Sequence, residues 1–172
     1  MVKRSPFAAV AVAACMLLAD AAASAAEPTS LGRFRDWEAF EATEQGRKVC
    51  YALTSPQKSE GDYSQRDPAF IMVTRRPAEG VYDEVSAIAG YPYRSGSNPV
   101  LNVGDAKFSA DPVDDVAWPK LAETPRLVAQ MKAGATLELR GVSSRGTNTR
   151  DEFSLLGFTA ALEAIGKSCP KR

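Results

Sequence analysis

Short runs of hydrophobic residues, separated by turn-forming residues, occupy most of the chain after residue 35. Runs of four to eight residues with such boundaries are typical of strands. The segment 135–143 alternates most cleanly, because Leu137 and Leu139 fall on one face and Glu138 and Arg140 on the other. The pattern predicts further strands at 36–42, 49–54, 69–76, 81–93, 100–103, 106–109 and 150–155.

Two segments carry the helical period instead. The segment 122–134 predicts a helix with Thr124 as its cap, Pro125 in its first turn and Gly134 as its stop. The segment 157–167 predicts a second helix, whose apolar stripe has members at i, i+4 and i+7, namely Phe158, Leu162 and Ile165.

The connections predict the fold class. The polar segment 55–68 reads as a long loop, and the pattern leaves 110–118 undecided. Most other connections are too short for the crossovers of parallel strands. We therefore expect a mainly β protein, an antiparallel β-sandwich or barrel-like domain over 36–172 with two short helices, one at the C-terminus. A flexible segment, 26–35, would precede it.

The first 25 residues have the three-part pattern of a secretory signal peptide. Lys3 and Arg4 form the basic region, an apolar stretch runs over 7–19, and Ala23-Ser24-Ala25 supplies a cleavage site. Two alternatives stay open: a retained membrane anchor, and acylation at Cys15 within a loose lipoprotein box. The favoured interpretation is cleavage and export, to the periplasm or the cell envelope.

Composition after the leader excludes some classes of partner. The mature chain retains 19 basic and 20 acidic residues, since Lys3, Arg4 and Asp20 leave with the leader. Binding to nucleic acid depends on clustered positive charge, so we expect no nucleic-acid partner. No later apolar run reaches the length of a transmembrane segment.

Two cysteines, Cys50 and Cys169, remain after the leader. In an oxidising compartment an even pair predicts one disulfide. The alternative is two separate buried thiols. A bridge would tie the end of the chain to an early strand and would stabilise the fold by about 4–5 kcal/mol in the chain-entropy model.

Residues suited to catalysis are scarce. The chain has no histidine, which removes the usual base of a hydrolase and a common zinc ligand. The carboxylates of Asp114 and Asp115 are adjacent, so on a strand they would point to opposite faces. We therefore expect no catalytic residue, no metal site, no cofactor and no enzymatic activity.

Three residues carry two interpretations each, and a fourth carries one. Arg145 lies in a turn beside two serines, where it either holds an anion or is simply solvated. Tyr91 and Tyr93 either form a recognition surface or cover the core. Arg75, at a strand end with Arg76, is interpreted as part of a charged edge that discourages aggregation.

Several segments together resemble the invasion-associated locus B family of exported bacterial proteins. They are "DWEAF", "GRKVCYAL", "VTRRP", "SAIAGYPY", "LELRGVSSRGTNTRDEFSLLGFTAALEAI" and the closing "SC", and they span about 36–169. The resemblance implies a periplasmic or envelope-associated β-sandwich, linked in some members to host-cell invasion. It implies no catalytic residue.

The chain departs from this resemblance at one position. Many relatives have a further cysteine shortly after the position of Trp37, where this chain has Glu38 to Glu41. The departure favours pairing of Cys50 with Cys169. The resulting hypothesis is a non-enzymatic interaction or envelope-support module whose partner is an unknown protein or envelope component. The alternatives are a periplasmic small-ligand binder and an enzyme with a carboxylate-based site.

Overall fold

Strands dominate residues 27–171, the part of the chain that the computed structural model describes. The strands are β1 (Thr29–Phe34), β2 (Trp37–Glu44), β3 (Arg47–Thr54), β4 (Lys58–Gly61), β5 (Phe70–Arg76), β6 (Val81–Ile88), β7 (Val100–Val103), β8 (Ala106–Val113), β9 (Val116–Pro119), β10 (Thr136–Val142) and β11 (Asn148–Ser154). The helices are α1 (Thr124–Ala133) and α2 (Phe158–Ser168), with short 3-10 turns at Pro77–Glu79 and Leu121–Glu123. The predicted leader, 1–25, lies outside the described residues.

All strands join one antiparallel sheet in the order β1-β2-β3-β5-β6-β9-β8-β7-β10-β11-β4. Strand β8 belongs to both halves, because it pairs with β9 on one side and with β7 on the other. The sheet is not closed, since β1 and β4 lie at its two ends. Side chains from both halves share one core, so the predicted mainly β, sandwich-like architecture is confirmed.

Alternation along the strands builds this core. In β10, Leu137 and Leu139 are fully buried, and Phe153 of the paired strand β11 lies beside them. The same alternation brings Asp151 of β11 to the inner face, where it is also fully buried. A strand of period two therefore places one carboxylate among apolar side chains.

Helix α2 closes one end of the core. Its residues Phe158 and Ile165 are fully buried, and the Phe158 ring lies 4.9 Å from the Trp37 ring. The Trp37 indole N–H donates to the Ser154 carbonyl at 3.0 Å. Gly157 begins the helix at φ +96°, where a β-carbon would overlap the Phe34 carbonyl oxygen, so only glycine fits there.

Two expectations about irregular segments are wrong. The segment 26–35, expected to be flexible, contains β1, which pairs with β2. The loop expected at 55–68 contains β4, which pairs with β11. All four residues of β4 are exposed, so the backbone ladder rather than side-chain burial forms this strand. A hydrophobic pattern therefore carries no sign of it.

Other boundaries shift. The undecided segment 110–118 holds the end of β8 and most of β9, joined by a turn at Asp114. The strand expected at 81–93 ends at Ile88. Thr124 is the first residue of α1 and makes no side-chain cap hydrogen bond, so its predicted role as a cap is wrong.

Candidate functional site

The two cysteines among the described residues lie side by side. Cys50 is on β3, Cys169 follows α2, and both are fully buried. Their Cα atoms are 6.0 Å apart across 119 residues of sequence. This separation is compatible with a disulfide. The tail therefore lies against an early strand, as a bridge would require.

Arg75 supports the same end of the chain. Its Nε donates to the Asp83 carboxylate at 2.6 Å, and its Nη1 donates to the Cys169 carbonyl at 3.4 Å. The interpretation as a charged edge is wrong, because β5 lies between β3 and β6 inside the sheet. Arg75 instead holds the end of α2 against β6.

The wider of two grooves formed by the described residues, about 930 Å³, lies where three segments meet. They are 62–67, between β4 and β5; 90–92, after β6; and 143–147, between β10 and β11. Tyr91 and Arg145 both line this groove, as do Asp62 and Asp67. Tyr93 does not line it; this residue is 7% exposed and belongs to the core.

Arg66 forms the floor of the groove. Its Nη1 and Nη2 donate to the two carboxylate oxygens of Asp151, each at 2.8 Å. Its Nε donates to the Ala89 carbonyl at 3.0 Å. The two side chains are 8% and 0% exposed, so the segment 62–67 is held to both halves of the sheet by a desolvated bidentate pair.

Two tyrosines flank this guanidinium. The rings of Tyr63 and Tyr91 each lie 5.3 Å from the Arg66 guanidinium carbon, within the range of cation–π attraction. Burial lowers the pKa of Arg66, but its hydrogen bonds to Asp151, the attraction of that carboxylate's charge and smaller effects of Tyr63 together raise the net pKa. Burial raises the pKa of the Tyr91 hydroxyl, which is hydrogen-bonded to Thr149. Near neutral pH Arg66 therefore stays positively charged and Tyr91 stays neutral.

The rim of the groove is the turn 143–147, in which four of the five backbone N–H groups are already used. The N–H groups of Ser143, Ser144 and Gly146 donate to backbone carbonyls, and that of Thr147 donates to the Ser143 hydroxyl. The turn thus offers side chains, chiefly the exposed Ser144 and Arg145, rather than a cradle of free backbone N–H groups.

A glycine lets two of the segments approach closely. Gly90 has φ +70°, and a β-carbon there would overlap the Asp67 carbonyl. The Asp67 N–H donates to the Gly90 carbonyl at 3.0 Å. Backbone contact therefore fixes the groove wall beside the ion pair.

A smaller groove, of about 450 Å³, lies over β10 and β11 on the outer face of the sheet. Its arginines are already paired: Arg140 donates to Glu138 at 2.5 Å, and Arg150 donates to the same carboxylate. These hydrogen bonds, that of Arg140 foremost, lower the pKa of Glu138 to about 2. The wider groove is the better candidate because its exposed cation, Arg145, takes part in no salt bridge among the described residues.

The other candidates for catalysis are dispersed. Asp114 is exposed in the turn between β8 and β9, and Asp115 is partly exposed beside it. The Ser-x-x-Lys spacing, which a serine nucleophile with a lysine base would use, occurs at 55–58 and 168–171. Both of its lysines are ion-paired, Lys58 with Glu60 at 2.5 Å and Lys171 with Asp83 at 3.4 Å.

Within residues 27–171 no cluster of three or more potential metal ligands occurs. In the same part of the chain, no helix has both the length and the apolar character needed to cross a membrane.

Comparison with known proteins decides the family. The model of the family described as invasion associated locus B (IalB) protein matches residues 37–166. The chain belongs to the invasion associated locus B family. The family resemblance seen in the sequence is thereby confirmed. No curated protein matches the chain.

A solved structure shares the fold of this family member. It is the crystal structure of invasion associated protein B from Bartonella henselae, with a TM-score of 0.56 and 17% sequence identity. The match covers 81% of this chain and 96% of that one. At this identity the likeness shows the fold alone.

Sequence reasoning found part of the groove and missed its floor. Tyr91 and Arg145 were identified as candidates, but nothing linked them. The missed residues are Arg66 and Asp151. A signal for Asp151 was present, since it alternates with Thr149 and Phe153 on one face of a predicted strand. Arg66, in an apparently polar loop, carried none.

Proposed function

We propose that this protein is an exported, non-enzymatic binding module of the bacterial cell envelope, and that its partner binds in the groove over Arg66. The observation that carries the proposal is the groove's fixed floor. A bidentate pair with one completely buried member orders the segment 62–67 without a ligand. A site that is ordered beforehand binds at a smaller entropic cost.

Exposure of the groove's carboxylates supports binding over hydrolysis. Asp62 and Asp67 line the groove, and both are exposed. The acid of a glycosidase is usually held in an apolar pocket, which keeps it protonated near neutral pH. The surroundings of Asp62 and Asp67 are solvent and polar side chains, so these residues suit hydrogen bonding to a ligand better than proton transfer.

Photo-crosslinking from within the groove tests the proposal. A photoreactive amino acid replaces Ser144, which is exposed at the rim, and in a matched strain it replaces Lys132, which is exposed on α1. We expect irradiation of living cells to give adducts from position 144 that position 132 does not give. Equal adduct patterns from the two positions would contradict the proposal.

Export is proposed from the leader and from the disulfide-compatible pair of Cys50 and Cys169. Fusion of residues 1–30 to a reporter that is active only outside the cytoplasm is expected to give activity. The intact mass of the exported protein is expected to correspond to a chain that begins at Ala26. A mass that corresponds to a chain acylated at Cys15 would instead support a lipoprotein. A mass that includes the whole leader would support a retained membrane anchor.

A contribution to host-cell invasion is proposed on family membership alone. A deletion strain is expected to invade cultured host cells less than its parent, and the wild-type gene is expected to restore invasion. If the deletion strain invades normally, the link to invasion is refuted for this protein, whereas the binding module is tested separately by the crosslinks.

A further inference from the structure

The lining of the wide groove defines the kind of ligand that it suits. Ten of its fourteen residues carry polar or charged side chains other than tyrosine, and Pro92 is its one aliphatic member. Small-molecule sites usually have mainly apolar linings with a few polar groups. For an acyl chain or an apolar peptide anchor, the lining offers only Pro92 and two tyrosine rings among polar side chains. The ligand is therefore itself polar over most of its surface.

The charges of the lining residues limit the net charge of the ligand. The groove holds two arginines, Arg66 and Arg145, and two aspartates, Asp62 and Asp67. The charge of Arg66 is already matched by Asp151 beneath it. A multiply charged anion would meet the two carboxylates, and a polycation would meet Arg145. A ligand of little or no net charge meets neither repulsion.

The state of the backbone separates a saccharide from a peptide. A peptide that adds to a sheet edge is bound through free backbone N–H and C=O groups. The lining segments 62–67, 89–92 and 143–147 are loops and turns rather than a free strand edge. Along two of them such groups are also used internally: Ser144 N–H donates to the Pro92 carbonyl, and Arg66 occupies the Ala89 carbonyl. What the groove presents is a set of hydroxyl, amide, guanidinium and carboxylate side chains.

Those side chains match the chemistry of a sugar ring. Neighbouring hydroxyls of a sugar both donate and accept, and the planar groups of Asp62, Gln65 and Arg145 can satisfy two of them at once. The partly exposed rings of Tyr63 and Tyr91 offer apolar area for the C–H face of the sugar. We infer that the groove over Arg66 binds a hydroxyl-rich saccharide of the cell envelope that carries little or no net charge. This inference rests on the proposed function and names the class of its partner.

Calorimetric titration of the purified exported protein tests the inference with three probes. They are chitotetraose, peptidoglycan glycan strands freed of their stem peptides, and the core oligosaccharide of lipopolysaccharide freed of its lipid and its phosphate groups. We expect binding to at least one probe, and the one bound identifies the source. The variant Gln65→Ala/Arg145→Ala, which leaves the Arg66–Asp151 pair intact, is expected to bind that probe at least ten-fold more weakly.

The matched control is Gln130→Ala/Lys132→Ala, which removes one amide and one cation from the exposed face of α1. It is expected to bind like the wild type, and equal thermal denaturation of both variants shows that each is folded. Equal weakening in the two variants would overturn the inference, as would binding to intact sacculi without binding to any of the three saccharides.

Failure of this inference is distinguishable from failure of the proposed function. If position 144 crosslinks to a protein and no saccharide binds, the binding module stands and its saccharide ligand is refuted. If position 144 gives no specific adduct and no saccharide binds, both are refuted.

Discussion

Replacement of Asp151 by asparagine removes one charge from the pair beneath the groove while keeping the shape of the side chain. In the folded protein Asp151 is fully buried and receives both Nη groups of Arg66 at 2.8 Å. In the variant, the guanidinium keeps its bond to the Ala89 carbonyl but loses its counter-charge. One amide N–H₂ would also face the guanidinium donors.

The expected cost follows from this burial. Removal of one member of a buried ion pair usually costs about 3–5 kcal/mol, because the remaining charge is left without compensation. A domain of this size loses roughly 2–4 °C in Tm for each kcal/mol. We therefore expect Asp151→Asn to lower the free energy of unfolding by about 3–5 kcal/mol and the Tm by roughly 6–20 °C.

Urea denaturation, followed by the fluorescence of the fully buried Trp37, measures this loss. Glu152→Gln is the matched control, because Glu152 lies on the same strand and pairs with Arg150 at 3.5 Å on the outer face. Its expected cost is below about 1 kcal/mol, as for other partly exposed ion pairs. If the two variants lose equal stability, Asp151 is not desolvated as described.

The double variant Arg66→Met/Asp151→Leu separates charge from packing. Replacement of a buried pair by apolar side chains is often neutral, so this variant is expected to retain more stability than Asp151→Asn. The double variant also removes the guanidinium that lies between Tyr63 and Tyr91. The loss of ligand binding in this variant therefore measures what the Arg66–Asp151 pair contributes to the groove. A double variant that is less stable than Asp151→Asn would contradict the account.

Three further predictions concern stability. Phe158→Ala is expected to cost about 3–5 kcal/mol in urea denaturation, since the ring is fully buried against Trp37; a loss below about 1 kcal/mol would mean that α2 does not pack as described. Reduction of the purified protein is expected to lower its stability by about 4–5 kcal/mol, and its intact mass under native handling should show both Cys50 and Cys169 oxidised; free thiols would refute the bridge. The pKa of Glu138 is lowered to about 2 from its ordinary value of 4.5, so its contribution is present above pH 4.5 and is lost as the pH falls toward 2. Glu138→Gln is expected to flatten the fall of Tm in that range, and an unchanged Tm profile would contradict the shift.

The elements that the sequence predicts best are those that bury a regular apolar pattern. The segment 135–143 was predicted as a strand because Leu137 and Leu139 alternate with charged residues, and it forms β10. Phe158, Leu162 and Ile165 are buried on one face of α2, as their spacing predicted. In both elements the residues that the local period places on one face are the residues that pack into the core.

The elements that sequence reasoning missed are held by backbone pairing. All residues of strand β4 are exposed, and no residue of β1 is more than partly buried. Each exists because a neighbouring strand supplies hydrogen-bond partners. For β4 the partner strand is β11, far away in sequence, so no local window contains the signal. The partner of β1 is the adjacent strand β2, but β1 buries no residue and so shows no regular apolar pattern.

By itself, the sequence determined the family, the mainly antiparallel class, the terminal helix and the two cysteines available for a bridge. Only the tertiary structure decided that Tyr91 and Arg145 share one groove, and that Arg66 is its floor. The physical reason is that burial of a charge depends on a partner. Arg66 is brought out of water by Asp151, which lies 85 residues further along the chain. Periodicity reports which way a side chain points, but not which distant group it meets.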